Sequence, residues 1–106
     1  MMTERDRRIL NQFVNKVRLK IPDAQIWVFG SRARGDAQPD SDLDICVVTD
    51  AMSAEQRDII NHTAWEVGFE YELFIQTLEY SREQFENSPL VSSPLLLNIR
   101  KEGIMV

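Results

Sequence analysis

A chain of 106 residues with 43% apolar and 27% charged side chains has the make-up of one ordinary globular domain, residues 1–106, with a modest core and no room for a second. No apolar segment follows Met1–Arg8 to act as a signal peptide and no later run approaches a membrane span, so a cytoplasmic protein without a membrane anchor is expected. Seventeen acids against twelve bases give a net charge of −5, which disfavours non-specific binding to nucleic acid.

Thr3 is placed to cap a helix in which Ile9, Leu10, Phe13, Val14 and Val17 recur at the spacing of one buried face. The intervening Arg5, Arg7, Arg8, Lys16, Arg18 and Lys20 read as its solvated outer face. Pro22-Asp23 ends that helix, and the run Gln25 to Phe29 is apolar enough for a central strand covered on both faces. Gly30-Ser31 then turns the chain. Gly35, Pro39, Asp40 and Ser41 mark a loop before a second strand, Leu43 to Thr49, in which the single cysteine, Cys46, reads as a small core residue.

Ser53 with Gln56 three residues on is a capping box, which predicts a helix from Ser53 to about Val67 with Met52 packing at its start and Gly68 as its stop. His62 falls off the inner face of that helix and reads as a surface residue, while Trp65 and Trp27 read as core or edge-of-core aromatics. A third strand is expected over Tyr71 to Thr77. Ser81 and Gln84 form a second capping box before a short helix near Arg82 to Glu86, and Ser93-Pro94 opens a last helix closed by Lys101-Glu102-Gly103. Leu95, Leu96, Leu97, Ile99 and the tail Ile104–Val106 carry more apolar surface than one helix needs; they complete the core or form a subunit interface, including one between copies of the chain.

The chemistry is concentrated between the first two strands. Asp42 and Asp44 are two residues apart, so on a strand their carboxylates leave the same face, where they repel each other unless a cation lies between them. A Gly-Ser turn at the end of the preceding strand offers bare backbone and a hydroxyl to phosphate oxygens. Arg32 and Arg34 lie beside that turn, where they either bind triphosphate oxygens or pair with Asp36 or Asp40. Together these features point to phosphoryl or nucleotidyl transfer assisted by metal ions.

Gly30-Ser31, ten intervening residues and Asp42-x-Asp44, flanked by apolar strands, resemble the signature of the DNA polymerase beta-type nucleotidyltransferases. Gly30-Ser31-Arg32-Ala33-Arg34-Gly35 is the form seen in the minimal nucleotidyltransferases of prokaryotic HEPN toxin–antitoxin pairs. The resemblance implies an α/β fold, a small mixed sheet with helices mainly on one face. It also implies ATP as donor of AMP, two Mg²⁺ ions held by Asp42, Asp44 and a third acid, and phosphates bound by Gly30, Ser31, Arg32 and Arg34. Glu72 falls at the place of the third acid if the strand is Tyr71 to Thr77, with Glu70 of the same parity as the alternative. The implied partner is a HEPN-domain toxin modified on a tyrosine, reached through the apolar C-terminal segment. Two other classes fit some of these residues: a non-catalytic antitoxin acting by occlusion, and a metal-dependent glycosyltransferase, which would leave the Gly-Ser turn without a role.

Overall fold

The structure, a computed structural model, describes residues 1–87 and 89–106. Its elements run α1 (Glu4–Lys20), β1 (Gln25–Phe29), α2 (Gly30–Arg34), β2 (Leu43–Thr49), α3 (Ala54–Tyr71), β3 (Ile75–Ser81), α4 (Arg82–Glu86), a 3₁₀ turn (Pro89–Ser92), α5 (Pro94–Glu102) and β4 (Ile104–Met105). The four strands form one mixed sheet in the order β3-β2-β1-β4, antiparallel except for the parallel pair β2–β3. This is the α/β architecture expected from the sequence.

Local chemistry explains where the helices start. Thr3 accepts the Asp6 amide at 3.1 Å, Ser53 and Ser81 each complete a reciprocal capping box with Gln56 and Gln84, and Ser93 caps α5 with Pro94 in its first turn. Each cap satisfies amides that the first helical turn leaves without partners.

Alternation along the strands divides the core in two. Ile26, Val28, Leu43, Ile45 and Val47 point to the face covered by α1 and α3, where they meet Phe13, Val17, Ile60 and Val67. Cys46 and Val48 point to the other face, under Phe85 of α4 and Leu96 and Ile99 of α5, with Trp27 and Phe29 at the margin. The two long helices therefore share one face, and the two short ones cover part of the second.

Two expectations are corrected. The first concerns the end of α3. Gly68 does not stop the helix, which runs on to Tyr71 and closes with Glu72 in the left-handed region at φ 56°. Leu73 N–H donates to the Gly68 carbonyl at 2.9 Å, so the chain folds back over Gly68, where any Cβ would run into the Leu73 carbonyl. The glycine is there for close approach, and the third strand starts at Ile75 instead of Tyr71. Second, Trp65 is not a core residue. It is 65% exposed and stacks on Phe69, 74% exposed, with ring centroids 5.3 Å apart, and together with Phe74 the pair lines an open groove of about 400 Å³. Of the apolar C-terminal segment, Leu96 and Ile99 are buried and complete the core, one of the two readings expected for it, whereas Leu95 and Leu97 are exposed and Ile104 and Met105 pair with Val28 and Trp27 at the sheet edge.

The basic residues of α1 are partly tied down within the chain. Lys16 pairs with Glu66 at 2.6 Å, Arg5 donates to the Tyr71 carbonyl, and Arg18 to the Ala24 and Val106 carbonyls. Among the described residues no helix is long and apolar enough to cross a membrane.

Candidate functional site

β1 and β2 run antiparallel, which brings the end of one beside the start of the other. Phe29 faces Asp44 across the pair, so Gly30 arrives directly beside the Asp44 carboxylate. Gly30 has φ 79°, a conformation that side chains other than glycine's rarely adopt, and a Cβ there would overlap the Asp44 carboxylate. The positive φ favours glycine, and any side chain there would also push the Asp44 carboxylate aside. The expected Gly-Ser turn is the start of a short helix, α2, which Gly35 closes at φ 86°. The Ser31 hydroxyl has no hydrogen-bond partner among the described residues, and its side chain is only partly buried.

Asp42 precedes β2 and Asp44 lies within it; both are partly exposed and neither forms an ion pair among the described residues. The Asp44 carboxyl titrates above the ordinary value for an aspartate. Burial is the main cause, the charge of Asp42 adds to it, and Arg34 opposes both. Two carboxylates in this condition can accept a divalent cation, which removes their repulsion and replaces lost water ligands. Cys46, two residues on, has its thiol pushed up to about 12 by burial and then by Glu79, so it supplies no nucleophile here.

The two arginines separate completely. Arg32 is 7% exposed and fully engaged: it donates to Asp6 at 3.1 and 3.2 Å, to the Ser41 carbonyl at 2.7 Å and to the Pro39 carbonyl at 3.1 Å. It pairs with neither Asp36 nor Asp40, and all three of its nitrogens are already hydrogen-bonded within the chain. Arg32, expected at the phosphates, stands where it fixes the loop that carries Asp42, a positioning role. Asp6 was not singled out from sequence, since its acidic side chain reads there as an ordinary first-turn residue of a helix. Arg34 is half-exposed, near enough to Asp44 to lower its pKa, and pairs loosely with Asp36 at 3.3 Å and Glu102 at 3.7 Å.

Glu72 is not brought to the aspartates. It occupies the corner after α3, its side chain lies outside the sheet, and Glu70 sits exposed in the last turn of that helix. Moving the strand from 71–77 to 75–81 changes which residue lies beside Asp44, and in the parallel register that residue is Gln76. Among the described residues no group of three or more Asp, Glu, His or Cys side chains comes together, so the ligand set expected for two metal ions is not assembled.

A carboxylate pair set against the bare backbone of a strand-to-helix turn defines a class of site suited to a cation and a polyphosphate. A model of the nucleotidyltransferase domain matches residues 10–101, and the chain belongs to that family of transferases. No curated protein matches the sequence. Among solved structures, the chain is similar to a protein of Sulfolobus solfataricus provisionally assigned as a nucleotidyltransferase, at 17% identity and a TM-score of 0.60 over 92% of this chain and 76% of that one. It is also similar to a toxin–antitoxin solved with AMP-PNP, at 20% identity and a TM-score of 0.63, and to a mutant of the MntA–HpeT toxin–antitoxin with two aspartates changed to glutamate, at 19% and 0.61. Both alignments cover 90% of this chain and 69% of the other. These likenesses agree with the four-stranded mixed sheet and five helices described above.

Proposed function

We propose that this chain transfers AMP from ATP to a hydroxyl, a tyrosine side chain, on a HEPN-domain toxin, and so serves as the antitoxin of that pair in the cytoplasm. The observation that carries the reading is the closeness of the Asp44 carboxylate to Gly30, with Asp42 one strand step away: a site for a cation built directly against a site for phosphate. Asp42 and Asp44 hold Mg²⁺, Ser31 offers its free hydroxyl to the β- and γ-phosphates, and Arg34 exchanges its loose surface carboxylates for phosphate oxygens. A cation held there would neutralise charge on the triphosphate; the acceptor oxygen would bond to the α-phosphorus as the bond to pyrophosphate breaks, with the hydroxyl proton passing to solvent.

A macromolecular acceptor suits a chain of this size, since the core and the aspartate site leave little surface to enclose a second small substrate. The net charge of −5 weighs against nucleic acid in that role and favours a protein. The toxin–antitoxin neighbours, one of them with AMP-PNP, support the same direction.

A second reading, binding and occlusion without transfer, is favoured by the neutral Gln76 beside Asp44. Incubating the chain with a HEPN-domain partner, ATP and Mg²⁺ separates the two by intact-mass spectrometry. An AMP-sized increment on the partner supports transfer. A stable complex with no increment supports occlusion, and absence of both binding and reaction contradicts the partner assignment.

A further inference from the structure

We infer that Gln76 limits this site to a single divalent cation, and that an acid at position 76 is the one change needed to admit a second. The inference rests on the reading that Asp42 and Asp44 hold a cation together with a nucleoside triphosphate.

The register settles which side chains surround Asp44. On its face of the sheet the cross-strand neighbours are Phe29 on β1 and Gln76 on β3, each one strand spacing away, about 4.8 Å. Two residues away along the chain lie Asp42, just before β2, and Cys46 within it. Asp42 is thus the one acid among these four positions. Paired cations in catalytic sites stand roughly 3.5–4 Å apart and repel strongly, so they need anionic ligands shared between them. A single octahedral Mg²⁺ already uses one or two carboxylates together with phosphate oxygens and water. The Gln76 amide offers a neutral carbonyl oxygen, which can coordinate but cannot offset a second double charge.

Most of the other acids nearby are committed or turned away, and Asp40, exposed in the loop, does not join Asp42 and Asp44 in a three-carboxylate group among the described residues. Asp36 and Glu102 share Arg34. Glu79 is in register with Val47, whose side chain belongs to the core under α1 and α3, so it starts from the opposite face of the sheet. Glu72 lies beyond the α3 corner. Gln76 itself is exposed and has no hydrogen-bond partner among the described residues, so the fold does not require an amide there.

The test counts ions instead of turnover. Mn²⁺ is titrated into the whole chain saturated with a non-hydrolysable ATP analogue, and free Mn²⁺ is followed by electron paramagnetic resonance. One bound ion per chain is expected for the wild type and for Gln76→Ala, and two for Gln76→Asp or for the longer Gln76→Glu. Unchanged thermal midpoints of these exposed-site variants show that they fold. Two ions on the wild type, or one on both acidic variants, would overturn the inference while leaving the nucleotide reading in place. A wild type that binds neither analogue nor ion would overturn that reading, and the inference with it.

Discussion

The two faces of the sheet are held together by different means. Under α1 and α3 the packing is continuous and apolar, and each of Ile26, Val28, Leu43, Ile45 and Val47 is fully buried. On the other face the short helices α4 and α5 shelter Cys46 and Val48 but leave Asp42, Asp44 and Gln76 in contact with solvent. The loop that delivers Asp42 has no core of its own, and its order comes from one buried guanidinium, Arg32, which binds two of the loop's carbonyls and anchors to Asp6 on α1. A closed apolar face supplies stability, whereas a partly covered face can carry charges only if a polar network positions them.

Substitutions can separate these two modes. The largest effect is expected for Arg32→Ala, which leaves the buried Asp6 without its partner and frees the loop. A loss of about 3–5 kcal/mol in chemical denaturation is expected. Asp6→Asn combined with Arg32→Ala should cost less than the sum of the single changes, because no isolated charge remains. If Arg32→Ala unfolds at the wild-type denaturant concentration, the loop is held by something other than this network.

Gly30→Ala comes next. The positive φ and the overlap with Asp44 should together cost roughly 1–3 kcal/mol and displace the carboxylate. Nucleotide affinity, measured by titration calorimetry, should fall more than stability does. Retained affinity would separate Gly30 from the site.

Glu72→Gly should act in the opposite direction and by less. Relieving a left-handed non-glycine residue at the α3 C-terminus is expected to add about 0.5–1 kcal/mol, with nucleotide affinity unchanged. A fall in affinity would return Glu72 to the site.

The same contrast shows what was legible in the sequence. Helix starts were readable because caps are local: Thr3, Ser53 with Gln56, Ser81 with Gln84, and Ser93 each act within three residues. The Gly30-Ser31 and Asp42-x-Asp44 spacing was readable because an antiparallel strand pair turns chain spacing into proximity. The end of α3 was misread because a glycine needed for close approach looks the same in sequence as a glycine that stops a helix. That error placed Glu72, instead of Gln76, beside the aspartates. The role of Arg32 depended on a partner 26 residues earlier, a pairing that no local pattern encodes.

The most direct test of the account is Mg²⁺-dependent ATP binding by the wild type and by Asp44→Asn, followed by titration calorimetry across pH. The folded Asp44 carboxyl holds its proton more tightly than the unfolded one, so its charge costs stability above the raised folded pKa, and that cost is relieved as pH falls through it. The account therefore predicts that wild-type binding weakens on acidification at a higher pH than an ordinary aspartate would set. It also predicts that Asp44→Asn loses at least about tenfold in Mg²⁺-dependent affinity while becoming no less stable at neutral pH. Asp44→Asn protein that binds Mg²⁺ and ATP like the wild type would contradict it.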